Sequence, residues 1–185
     1  MQAVMDRAEE RGFAGTRLVQ AAFHNRTMAL YTKLGFAVRE PLACMQGPAP
    51  RKTLGGYKVR KAEAKDLEAC NALCLEVHGH NRAGELQDSI TRGTAIIAER
   101  DGVIRGYASG MAFFGHATAA RNEALQALLG AAEAFEGPGI LVPTRNKELF
   151  EWCLENGLRI VQPMTLMSTG LYNEPAGAFL PSILY

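Results

Sequence analysis

The segment "NRTMALYTKLGF", residues 25–36, holds the side chains best suited to chemistry in the first fifth of the sequence. Tyr31 brings a phenol, a group that titrates near about 10, stays protonated at neutral pH and can donate a proton. A plain core aromatic is the competing reading of that residue. Asn25 has two donors and an acceptor, and at the start of a helix it would also serve as the N-cap. Gly35 follows the helix, where glycine most cheaply supplies a left-handed residue. A second group, "EVHGHNR" at 76–82, sets His78 and His80 close to Glu76. These histidines read as a solvent-exposed connection between two helices or as contacts to a substrate. A metal there would need a third and fourth ligand that the sequence does not place, so no metal is expected. His116, after "AFFG", reads as a histidine without a role. The cysteines, Cys44, Cys70, Cys74 and Cys153, form no C-x-x-C pair and read as buried free thiols.

The bulk of the chain narrows the choices. Its 185 residues are 48% hydrophobic, enough for one good core or two small ones, and its net charge of +1 supplies no basic field for nucleic acid. The longest apolar runs, such as "TAIIA" at 94–98, fall far short of the roughly 18 to 20 residues that a membrane helix needs. Asp6, Glu9 and Glu10 interrupt the first residues, and no signal-peptide core is visible there. The default expectation is therefore a cytoplasmic globular protein.

The elements that must position these groups recur. "GFAVREPLACM" (35–45) overlays "GLRIVQPMTLM" (157–167) so that Gly35, Pro41 and Met45 fall on Gly157, Pro163 and Met167, each 122 positions later. Upstream, both copies read helix, strand, helix, glycine, strand. The second copy is preceded by about 65 residues of its own. There "GYKVRKAE" reads as a strand, and "KDLEACNALCLEV" as a helix burying Leu67, Cys70, Leu73, Cys74 and Val77. "NRAGELQDSITRG" reads as a helix ended by Gly93, and "TAIIAER-DG-VIRGYASG" as a hairpin across Asp101-Gly102. "MAFFGHA" is expected to continue the sheet, "NEALQALLGAAEAF" to be a helix, and "RIVQPMTLM" to be a strand pair broken by Pro163. The fold class that results is α/β (α+β), a mixed sheet flanked by helices.

This order, closed by "NRTMALYTKLGF", resembles the GNAT superfamily of acetyl-CoA-dependent N-acetyltransferases. Asn25, Tyr31, Leu34, Gly35 and Phe36 match the family's last helix and its exit. The resemblance covers residues 1 to about 47 by motif and 56–170 by element order, a layout similar to tandem acetyltransferases with a degenerate second domain. It implies a GNAT-like acyl-CoA N-acyltransferase fold and transfer of acetyl from acetyl-CoA, as co-substrate, to a primary amine of a small molecule or peptide. Expelling a thiolate whose thiol titrates near ~8.5 is helped by an acid, and the family role of general acid falls on Tyr31. Asn25 would touch the pantetheine arm, and His78 and His80 would lie where the family lines its acceptor pocket.

Against the resemblance stands what is missing. The family's Arg/Gln-x-x-Gly-x-Gly/Ala loop, whose backbone N–H groups cradle the pyrophosphate, would precede Met1 in the first unit. In the second, no glycine occurs between Gly115 and Gly130, and Tyr31 falls on Cys153 or Trp152. The expected organisation is the back half of a catalytic domain at 1–47, a linker at 48–55, and a complete but degenerate GNAT-like domain at 56–185. The short first unit suggests a truncated start or a homodimer that covers the open strand edge. A non-catalytic ligand-binding or dimerisation module is the alternative function. The tail, 168–185, is too apolar for disorder and is expected to pack back on the second unit.

Overall fold

Residues 1–184 are described by a computed structural model. In chain order its elements are α1 (Gln2–Glu10), β1 (Gly15–Ala21), α2 (Asn25–Lys33), β2 (Ala37–Gln46), β3 (Lys58–Lys61), α3 (Leu67–His78), α4 (Ala83–Arg92), β4 (Ile96–Arg100), β5 (Val103–Ala108), β6 (Ala117–Ala119), α5 (Asn122–Ala131), β7 (Ile140–Pro143), α6 (Lys147–Glu155), β8 (Arg159–Gly170) and β9 (Ala178–Leu180). Two antiparallel sheets flanked by helices result, one in the order β1-β8-β2-β7 and one in the order β3-β4-β5-β6-β9.

The spacing of 122 survives in three dimensions. Adding it carries α2 onto α6, residue for residue, and Gly35 onto Gly157, both at φ 88°. A side chain at that φ is strained, which is why glycine ends both helices. The first sheet keeps the same relation: Gly15 pairs with Gly170 and Leu42 with Pro143 in one common register. The β2–β8 ladder is interrupted at Arg39 and again at Val161, its counterpart 122 positions on. The strands are also exchanged. β8 of the second repeat lies between β1 and β2 of the first, and β2 lies against β7 of the second.

β8 runs unbroken through Pro163, contrary to the expected strand pair. The reason lies at the strand ends. A residue's N–H and C=O point to the same neighbour in an antiparallel ladder. The Pro163 carbonyl accepts from Ala22 N–H at 3.0 Å, just past the end of β1, and the Pro41 carbonyl accepts from Thr144 N–H at 3.0 Å, just past β7. Each proline's missing N–H therefore faces the residue just past the end of the neighbouring strand, outside the pairs of the named ladder.

In the second sheet, the hairpin turns on Asp101 (φ 54°) and Gly102 (φ 74°), the two left-handed residues of a type I′ turn. α5 lies on one face, over Ala98, Ala108, Ala117 and Ala119, and continues the same core across Ala43, Met45, Ile140 and Val142 of the first sheet. α3 and α4 cover the opposite face through Cys70, Leu73, Cys74, Val77 and Leu86, packed on Ile97 and Tyr107. Two expectations are corrected here. Most of "MAFFGHA" is a turn, with only Ala117–Ala119 in a strand, and α5 stops at Ala131, so 132–135 leave the helix. No described helix is long and apolar enough to cross a membrane.

Candidate active site

β1 delivers the chain to α2, and the site of the first repeat is built on that pair. α2 begins at Asn25, but the N-cap position belongs to His24, and Asn25 is the exposed first helical residue. Asn25 therefore does not hold the N-cap position expected of it, His24 makes no side-chain cap hydrogen bond in its place, and the Asn25 side chain is exposed. Tyr31, two turns on, is half-buried, with its ring 5.9 Å from that of Phe36 at a tilt of 54°. Phe36, 2% exposed, anchors the exit of the helix in the sheet. β1 is an edge strand, and no described strand pairs with its outer side.

Gln20, next to the end of β1, carries a signal that the sequence reading missed. It is 6% exposed, and neither its amide nitrogen nor its amide oxygen has a hydrogen-bond partner among the described residues. Position 142, 122 residues later, is Val142 in the apolar core. A glutamine in the alternation of "TRLVQA", where the repeat has "ILVP", was the available hint.

The same place in the second repeat is closed. Tyr31 falls on Cys153, which is fully buried, its thiol pushed up to about 12 by desolvation. At the helix start Asn146 caps α6 by accepting from Leu149 N–H, and it exchanges hydrogen bonds with Asn122 in both directions, at 2.7 and 3.1 Å. Asn122 also donates to Glu148 at 2.9 Å. A cavity of about 360 Å³ opens at the N-terminus of α5, lined by Arg121 as well as by Glu123 and Glu148. Next to it β9, from the tail, pairs with β6 and rests against β7. Ala178, Phe179 and Leu180 are all at most 6% exposed, so a peptide strand fills the gap between β6 and β7.

The histidines are placed otherwise than expected. His78 is the last residue of α3 and is 1% exposed, which corrects the solvent-exposed reading. Its Nε2 lies 3.1 Å from Thr118 Oγ1 and 3.3 Å from Nε2 of His116, itself 1% exposed. The helix runs one residue past the expected Val77, to His78, because Gly79 (φ 71°) provides the left-handed exit there. Burial pushes His78 down to about 3 and His116 well below its usual value, so both rings are neutral at pH 7. His80 is half-buried, is lowered by desolvation, and lines a cavity of about 600 Å³ with Arg17 and Asn81, between the repeats. His78 and His80 thus meet each other and His116, whereas Tyr31 and Asn25 belong to a different layer. Among the described residues no group of three His, Cys, Asp or Glu side chains could hold a metal ion.

The arrangement of helix-flanked antiparallel sheets, with a Gly-terminated helix after the edge strand, has solved counterparts. A provisionally assigned acetyltransferase from Pyrococcus horikoshii is similar at TM-score 0.69 and 18% identity over 95% of this chain. GCN5-related N-acetyltransferases from Sphaerobacter thermophilus (0.52, 15%, 94% of this chain) and Anabaena variabilis (0.52, 13%, 90%) are also similar. The fold is that of the GNAT acyl-CoA N-acyltransferases. The chain spans 63%, 67% and 48% of the lengths of these three structures. No protein-family model and no curated protein matches the sequence.

Proposed function

We propose that the chain is part of an N-acetyltransferase that moves acetyl from acetyl-CoA to a primary amine. In this reading residues 1–47 are the back half of the catalytic unit, 48–55 a linker, and 56–185 a GNAT-like unit that does not take the thioester. The observation that carries it is the contrast at one position of the repeat. Where the second repeat has buried Cys153 and a gap between β6 and β7 filled by β9, the first has Tyr31 on the helix that follows β1, an edge strand whose outer side no described strand pairs. A tyrosine there can give a proton to the departing thiolate, and exposed Asn25 can hold the amide groups of the arm. Acetyl-CoA supplies the activated acyl group. His80 is the remaining candidate for touching the acceptor, through the cavity it lines; buried, neutral His78 supports it from behind.

Turnover of acetyl-CoA, followed as thiol release with a panel of primary amines, tests the reading in wild type and in Tyr31→Phe. General-acid loss is expected to slow the variant by about 10²-fold or more. Equal rates in the two proteins would remove Tyr31 from the mechanism. The sealed gap of the second repeat favours a second reading, a non-catalytic binding or dimerisation module. Its signature would be no thiol release from any amine.

A further inference from the structure

We propose that the segment joining the repeats and α5 together form a site for a small amphiphilic anion, such as a medium-chain carboxylate, independently of the acetyltransferase reading. Residues 51–54 do not hang free. Lys52 N–H donates to the Gly130 carbonyl at 2.9 Å, and a methyl group at Gly130 would stand 2.3 Å from the Lys52 carbonyl oxygen. Glycine at that point of α5 is what lets the joining segment lie directly on the helix. Arg51, next to this contact, holds φ at 48°, a left-handed conformation that arginine rarely adopts. Such strain persists where surrounding contacts impose it, and ligand clamps are among the places where it gathers.

Between that segment and α5 opens a cavity of about 350 Å³, within the size range of small-molecule sites. Its apolar lining comes from Leu54 and Tyr57, which pack against the main core, and from Ala127 and Ala131 of the helix. Its charged lining has one sign, Arg51, Lys52 and Lys58, with no carboxylate among them. Four other cavities, of about 360 to 600 Å³, each set at least one carboxylate beside their cations. Among the described residues the side chains of Arg51, Lys52 and Lys58 make no ion pair and no hydrogen bond, whereas Arg60, on the same strand as Lys58, is held by Asp66 and Glu99. Cations without counter-ions over an apolar floor fit a ligand that brings the missing charge at one end and buries a hydrocarbon body at the other. A cationic ligand would be repelled, a neutral one would leave the charges unanswered, and a bare inorganic anion would leave the floor uncovered.

Calorimetry on the full chain with octanoate, octanol and octylammonium separates the charge from the apolar body. Octanoate should bind about tenfold or more tightly than octanol, octylammonium should not bind, and octanoate should slow hydrogen exchange at the amides of 51–59. Arg51→Gly removes a cation where the backbone already suits glycine, and Lys52→Gln removes its neighbour's charge. The double variant should unfold near the wild-type midpoint and lose affinity for octanoate by about tenfold. If that variant fails to fold, Lys58→Gln, at an exposed position of the edge strand β3, makes the same comparison. Equal binding of octanoate and octanol overturns the anion site. Unchanged affinity in the variants, or protection that appears only outside 51–59, overturns its location. A wild type that does not bind octanoate overturns the proposal outright and leaves the acetyltransferase reading to be decided by thiol release.

Discussion

The two repeats have nearly the same backbone and opposite surroundings. α5 buries seven of its ten residues, whereas α1 buries none; α6 buries Leu149 and Cys153, whereas α2 again buries none. The aromatic after each first helix makes the point most directly, since Phe13 is 62% exposed and Phe135 is 5% exposed. Local sequence accounts for part of the difference, since α1 carries Asp6, Arg7, Glu9 and Glu10 and α5 only Glu123, yet Val4 on α1 is apolar and still 57% exposed. What α5 has is the sheet of β3 to β6 beneath it. The burial of a helix in this fold is conferred by the sheet it meets, and its own pattern only makes it eligible.

That contrast can be broken from the strong side first. Leu128→Ala removes a fully buried side chain of α5 from the main core, and the loss is expected at about 2–5 kcal/mol, lowering the midpoint of thermal unfolding by several degrees. A shift of under a degree would mean that α5 is not the centre of the core.

Acid probes the same repeat. His78 and His116 are neutral in the fold and titrate near 6.5 when unfolded, so their contribution is complete above pH 6.5 and is lost as pH falls toward 3. At pH 5.5 the two together should have cost about 3 kcal/mol, and urea titrations at pH 7 and 5.5 would show it. His78→Phe should flatten that dependence; an unchanged slope would place the acid sensitivity elsewhere.

The tail strand gives a smaller effect. A methyl group at Gly177 would stand 2.5 Å from the Ala119 carbonyl oxygen and 3.0 Å from Val77 Cγ2, so Gly177→Ala must push β9 off β6. We expect about 1–3 kcal/mol and faster hydrogen exchange at the amides of 178–180. Unchanged exchange would show that β9 is held by its neighbours and not by this approach. The weakest perturbation belongs to the first repeat: Val4→Ser, at a position 57% exposed, should move stability by less than about 0.5 kcal/mol. A large loss there would reveal that α1 is covered in solution.

Much of this was legible in the sequence for identifiable reasons. Gly35, Gly157 and the Asp101-Gly102 turn announce backbone shapes that few other residues adopt, and the helical face of Leu67 to Val77 follows from spacing alone. Those signals are local. The exchange of β8 into the first repeat was not legible, since both neighbours of β8 are apolar strands that any register-compatible partner would suit. β9 was hidden for a related reason: three residues in a Pro- and Gly-rich tail form a strand only because β6 offers an edge. Of the candidate site, Tyr31 and Asn25 could be named because helix ends carry recognisable types. His116 was read as a histidine without a role and Gln20 was passed over, because burial, not residue type, makes them unusual.

The exchanged strands also set an order of events when the protein is made. Gly15 and Gly170 are partners separated by 155 positions (170 less 15), with almost the whole chain between them. During synthesis β1 and β2 emerge early and cannot pair with each other, because the strand that belongs between them is β8. Until residues 159–170 leave the ribosome, β1 and β2 lack the strand that lies between them, while the β3–β6 ladders are already available to form. Folding should accordingly be slow to finish, with β8 closing the structure last.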